Sequence, residues 1–168
     1  MPTFALRQLK LPFSQALIAT TLAGAVLFVC TPVVAAISDR YGRKPLLVVG
    51  ASAFTLLTYP AFVLITAQPS LPRLAAVQSG FALAMATYAG PAISVFAELF
   101  PTRLRSTAVS LVYSIAVVLV GGFAPLIVTW LIAVTGRPTA PAFYVIGAAA
   151  VSGVALLALR DRFREPLR

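Results

Sequence analysis

Five long apolar runs, separated by short polar reversals, decide what this chain can become. They lie at residues 14–37, 45–67, 73–97, 105–134 and 141–159. A helix rises about 1.5 Å per residue, so about 20 residues cross the hydrocarbon of a bilayer. The fourth run exceeds that length and is expected to tilt or project beyond the lipid. An open strand in lipid would leave backbone N–H and C=O groups without partners, so all five are read as helices. Ala, Leu, Val and Gly dominate them, without the apolar–polar alternation of a membrane barrel. The expected fold class is all-α, a polytopic transmembrane bundle of about five helices.

Composition agrees. Apolar residues make up 60% of the 168 and charged residues 10%. The mean hydropathy is +0.97. A soluble domain carries about 25% charged residues, and a core this small cannot bury so much apolar side chain. Disorder is excluded on the same grounds. The net charge of +9 raises nucleic acid as a partner. That partner needs a basic stripe on a folded surface. Here the Lys and Arg residues fall in short clusters between the runs, so the lipid bilayer is the expected partner and nucleic acid is not. Cys30 is alone, which rules out an internal disulfide or a Cys-rich metal site, and histidine is absent. No nucleophile–base pair, metal cluster or cofactor motif is visible, so no catalytic residue is assigned and an enzyme is not expected.

The reversals fix an orientation. Arg40, Arg43, Lys44, Arg103, Arg105, Arg160, Arg162, Arg164 and Arg168 gather on one side, and Arg7, Lys10, Arg73 and Arg137 on the other. Cytoplasmic loops carry the excess of Lys and Arg, which puts the first set inside. The chain is then a multi-pass inner (plasma) membrane protein with its N-terminus outside and its C-terminus cytoplasmic. Arg7, Lys10, the first apolar run and Val34-Ala35-Ala36 imitate a secretory signal. The run passes directly into a basic loop and four more runs, which favours a retained helix. An outside N-terminus is an awkward start for insertion, so further N-terminal helices are expected as partners.

Two junctions and one run carry motifs. Between the first two runs stands Asp39-Arg40-Tyr41-Gly42-Arg43-Lys44, where Gly42 permits a tight reversal and the cations hold the loop at an anionic surface. Ala97-Glu98-Leu99-Phe100-Pro101-Thr102-Arg103-Leu104-Arg105 joins the third run to the fourth. Val120-Gly121-Gly122-Phe123-Ala124-Pro125 breaks up the fourth, where the Gly pair allows close helix packing and Pro125 loosens the backbone. Taken alone, the charge clusters also fit loops that only set topology.

The first string resembles the loop motif of the major facilitator superfamily, Gly-x-x-x-Asp-Arg-x-Gly-Arg-Arg/Lys, with Ala35 at its first position. The second resembles the junction of that family's tenth and eleventh helices. The third, with Tyr113-Ser114-Ile115-Ala116, is similar to the eleventh helix of its metabolite:proton symporters, where many members carry Asn at the place of Ser114. Ala140-Pro141-Ala142-Phe143-Tyr144 resembles the entry to the twelfth. Thr58-Tyr59-Pro60 and Thr87-Tyr88-Ala89-Gly90 look most like citrate and tricarballylate carriers, with proline/betaine carriers in the same group. The resemblance implies a partial C-terminal bundle, helices 8–12 of a twelve-helix carrier. It implies proton-coupled symport of a small organic acid or zwitterion by alternating access. It also implies a gating set of Asp39, Arg40, Gly42, Arg43, Lys44, Glu98, Arg103 and Arg105, with Glu98 pairing to loop arginines including Arg40. A non-transporting sensor or assembly module on the same fold is the alternative.

Helical spacing gives a separate view of the cavity. Ser106, Ser110, Tyr113, Ser114 and Gly121 share one stripe of the fourth run, and Gly80, Thr87, Pro91, Ser94 and Glu98 share one of the third. Such stripes face a bundle or cavity, or serve ordinary helix packing. Gln15, Gln78, Tyr88, Tyr113 and Ser114 are the candidates for hydrogen bonds to a small-molecule substrate. No charged residue lies near the middle of a run, so the protonatable group expected of a proton-coupled carrier is not in this segment.

Overall fold

The computed structural model describes residues 2–99 and 104–158. They form α1 (Pro2–Arg7), α2 (Phe13–Tyr41), α3 (Arg43–Ala67), α4 (Leu71–Leu99), α5 (Arg105–Ala116), α6 (Ala124–Thr135) and α7 (Pro141–Ala158). A π-helical stretch, Val117–Gly122, joins α5 to α6. These three pieces make one rod of 30 residues, Ser106–Thr135. Among the described residues, three helices are long and apolar enough to cross a membrane: α2, α3 and the rod. α7 is apolar over 18 residues, about 27 Å of rise. α4 has 29 residues, but Gln78, Ser79, Thr87, Tyr88 and Pro91 interrupt its apolar run.

The polar content of α4 matches its place. It packs between α2 and α3, and α3 in turn packs on α7. Helices in lipid gain little from apolar contact alone, so small residues that let backbones approach carry the association. Ala82, Ala84, Ala86 and Ala92 of α4 are all buried. At Gly90 an added Cβ would sit 3.2 Å from the Ala35 nitrogen and 3.2 Å from the Thr31 carbonyl of α2. Glycine is thus needed at position 90, where the α2 backbone at Thr31 and Ala35 passes too close for a side chain. At Gly50 of α3 a Cβ would sit 3.0 Å from the Tyr88 Cβ and backbone nitrogen of α4.

The core has two ends. Ala5, Leu9, Ala16, Ala19, Phe62, Ile65, Leu74 and Ala142 cluster where α1 folds across the bundle, and the Phe4 ring meets Phe62 edge-on at 5.4 Å. Leu47, Ala51, Ala92 and Leu156 form a second cluster toward the Asp39–Lys44 reversal. Most other large apolar side chains point outward, Phe28 at 82% exposure among them. None of the most apolar part of the rod is buried. Apolar surface of this extent is far more than a soluble monomer carries and suits lipid or further helices. Threonine hydroxyls close on the carbonyl four residues back at Thr20, Thr31, Thr66, Thr87, Thr129 and Thr135, so they need no water.

The rod meets the other helices sparsely: α5 touches α4 and α6 touches α7 near its ends, and Val120 at its middle meets Tyr144 of α7. Its stripe of Ser106, Ser110, Tyr113, Ser114 and Gly121 is exposed throughout. Within the described residues that stripe faces neither bundle nor cavity, because no helix lies opposite it.

Gly90→Leu should therefore lower stability in detergent by about 1–3 kcal/mol, the usual cost of overpacking. Gly24→Leu, where an added Cβ meets nothing within 4 Å, should not. Thermal unfolding followed by far-UV circular dichroism compares the two.

Candidate gating turn and cavity

One residue separates α2 from α3. Gly42 stands between them at φ 99° and ψ 155°, a conformation kept almost entirely to glycine. Its N–H donates to the Ser38 carbonyl at 3.0 Å and closes the end of α2. The reversal is thereby fixed by backbone geometry before any charge acts.

The charges of the motif then divide their work. Arg43 Nη2 lies 3.6 Å from Asp39 Oδ1, one helical turn away in sequence, and the Asp39 side chain is 64% exposed. A long ion pair with its carboxylate in solvent is worth under about 1 kcal/mol. Its role is to orient the turn. Lys44 reaches further: its ammonium donates to the Leu157 carbonyl at 3.3 Å, at the end of α7. The carbonyl end of a helix carries partial negative charge and favours a cation. That contact offsets the poor placement of Arg43 and Lys44 at the start of α3, where the helix end is positive. The turn so ties together α2, α3 and α7, while Arg40 stays exposed on its surface. The side chains of Glu98 and Arg105, and all of Arg103, lie outside the described residues, and so does the expected pairing of Glu98 with the loop arginines.

A cavity of about 390 Å³ lies among α3, α4, the rod and α7. Ala51, Phe54, Met85, Tyr88, Val120, Tyr144 and Ser152 line it, most of them near the middle of their helices. Its wall is apolar apart from two phenols and the Ser152 hydroxyl, and all three are engaged. The Tyr88 hydroxyl is 2.7 Å from Ser152 Oγ, and the Tyr144 hydroxyl donates to the Val120 carbonyl at 2.6 Å.

Of the sequence candidates, only Tyr88 reaches this cavity. Gln15 is half-buried in the first turn of α2. Gln78 is 5% exposed, and its Nε2 has no hydrogen-bond partner among the described residues. Tyr113, at 64% exposure, and Ser114 stand on the bare face of the rod. Gly121, Gly122 and Pro125, expected as packing residues, are exposed there too. Sequence reasoning passed over Ser152 and did not single out Tyr144 for the cavity. The signal was present: Tyr144, Ala148 and Ser152 recur every four residues, and all three line the cavity.

The Asp39–Lys44 turn, the small-residue packing of α4 and the apolar outer surface now meet an independent finding. The family model described as Major Facilitator Superfamily matches residues 1–168. The chain belongs to the major facilitator superfamily. Among its curated relatives, a citrate-proton symporter of Salmonella typhi is 33% identical over 159 residues, 94% of this chain and 36% of that protein. The ectoine/proline transporter ProP of Corynebacterium glutamicum is 33% identical over 167 residues, 99% of this chain and 33% of its own length. A proline/betaine transporter of Escherichia coli K12 is 30% identical over 137 residues, 82% of this chain and 27% of its own. The superfamily segment seen here therefore spans about a third of the length of the relatives it matches. No solved structure matches it.

Because Gly42 alone accommodates the reversal, Gly42→Ala should destabilise the bundle by about 1–3 kcal/mol. Lys44→Gln, which keeps a donor, should cost less than Lys44→Ala. Thermal melts of the three variants in one detergent give the order.

Proposed function

We propose that this chain supplies helices 8–12 of a proton-coupled symporter for a small carboxylate or zwitterion, working by alternating access. The observation that carries this is the near end-to-end similarity to a citrate-proton symporter and an ectoine/proline transporter. Citrate, proline and ectoine are small molecules that share a carboxylate, so a carboxylate is the chemistry common to the named cargoes.

The geometry supports a part in a larger carrier. The rod presents a stripe of hydroxyls and small residues with nothing packed against it. A polar stripe in a membrane helix belongs against other helices or an aqueous path. In the proposed carrier the stripe of Ser106, Ser110, Tyr113 and Ser114 faces the opposite helix bundle across the transport path. Tyr88, Gln78 and Gln15 are further positions for polar contact with cargo. The Asp39–Lys44 turn sits on the cytoplasmic face of the plasma membrane, with Glu98, Arg103 and Arg105 as its partners in closing that face. Rocking of two bundles about a midplane site alternately opens the two sides.

Proton coupling needs a protonatable group and a counter-charge inside the path. The middles of all five runs lack Asp, Glu, Lys and Arg, and the chain has no histidine. Both groups are then contributed by helices outside this segment. The purified chain alone, reconstituted in liposomes under an imposed pH gradient, should accumulate neither citrate nor proline. A chimera with the upstream helices of the Salmonella symporter, checked for membrane insertion, should restore gradient-driven uptake. Uptake by the chain alone, or none by an inserted chimera, would count against the proposal.

A further inference from the structure

The Val120 carbonyl accepts the Tyr144 hydroxyl at 2.6 Å across 24 residues of sequence. It lies within the π-helical stretch Val117–Gly122, and Pro125 follows just after. Under π winding the carbonyl of residue 120 looks to the N–H of residue 125. Under α winding the carbonyl of residue 121 looks to that same N–H. Both rules lead to Pro125, which has no N–H to give. Each winding therefore orphans one carbonyl: Val120 in the π form, Gly121 in the α form. Neither orphan finds water in a bilayer. Counted by orphaned carbonyls the two windings are matched, and an outside donor distinguishes them.

The observed donor is arranged for the π form. Tyr144 serves Val120, the carbonyl that π winding leaves without a backbone donor. The stretch is also free to rewind. Gly122 has nothing within 4 Å of an added Cβ, and Gly121 has only the Val117 side chain at 3.8 Å. The cavity beside Val120 and Tyr144, about 390 Å³, gives the backbone room.

We propose that the Tyr144 hydroxyl selects the winding of the rod. Engaged, it holds Val117–Gly122 in the π form. Released, Val120 recovers the Ala124 N–H, the stretch rewinds as α-helix, and α5 turns relative to α6 by about 100°, one residue's share of a helical turn. The Ser106–Ser114 stripe then faces a different neighbour. The device holds whatever the cargo is.

The test is a distance measurement on the whole chain in lipid nanodiscs. Spin labels go on Ser110→Cys of α5 and Val151→Cys of α7, both exposed positions, in a Cys30→Ser background. A 100° turn carries a side chain about 8 Å around a helix of this radius. Tyr144→Phe removes one net hydrogen bond, so the π-to-α ratio should fall roughly three- to tenfold and a second distance should emerge. Pro125→Ala gives Gly121 its missing donor, and the same second distance should become the major one. A Tyr144→Phe distribution identical to that of the parent overturns the proposal. So does a new Tyr144→Phe distance that differs from that of Pro125→Ala.

Discussion

Backbone hydrogen bonding without water is the constraint on which the rest of this structure depends. In hydrocarbon an unmet N–H or C=O costs several kcal/mol, which restricts each apolar run to helix. The chain nevertheless places a proline inside α2, α3 and α4, at Pro32, Pro60 and Pro91. Each removes a donor and leaves a carbonyl one turn earlier to be met in another way. At Pro125 the substitute donor is visible: a tyrosine hydroxyl from α7 reaches across to the rod. The same economy appears in the threonines, whose hydroxyls fold back on their own helices.

Once helices are obligatory, the sizes of the side chains decide how they meet. α4 is central because alanine and Gly90 let α2 approach it, and Gly50 of α3 lets Tyr88 approach in turn. The tight turn at Gly42 joins α2 to α3 although those two helices barely touch along their length. Lys44 then carries the turn to the end of α7. Local backbone geometry at one glycine so reaches three helices. The rod is the exception: one stripe of it is rich in polar and small residues and, among the described residues, bare of partners. A superfamily carrier with two bundles has a use for such a helix at its dividing plane.

Much of this was legible in the sequence. Run length and composition gave helices, and the Asp39–Lys44 string gave the turn, because Gly42 and the charges lie within six consecutive residues. Three things were hidden. The approach of Gly90 to Ala35 joins residues 55 positions apart in sequence, and no periodicity within one helix encodes it. The cavity places Tyr88 beside Ser152 in the same way. The bareness of the stripe on the rod reflects what is opposite it, which spacing alone does not contain. The π stretch was half legible: the Gly pair and Pro125 marked a weakened backbone, but its partner Tyr144 sat in a different motif.

Labelling of single cysteines with a membrane-impermeant maleimide, in a Cys30→Ser background, tests the proposed five lipid crossings most directly. Thiols replacing Arg40 and Leu104 should react only from the cytoplasmic side, and those replacing Gln68 and Arg137 only from outside. Thiols replacing Leu56 and Val151, exposed on α3 and α7 in the bare bundle, should stay silent in the membrane from both sides. Two successive reversals labelled from the same side, or a reactive thiol at Leu56 or Val151, would contradict the account.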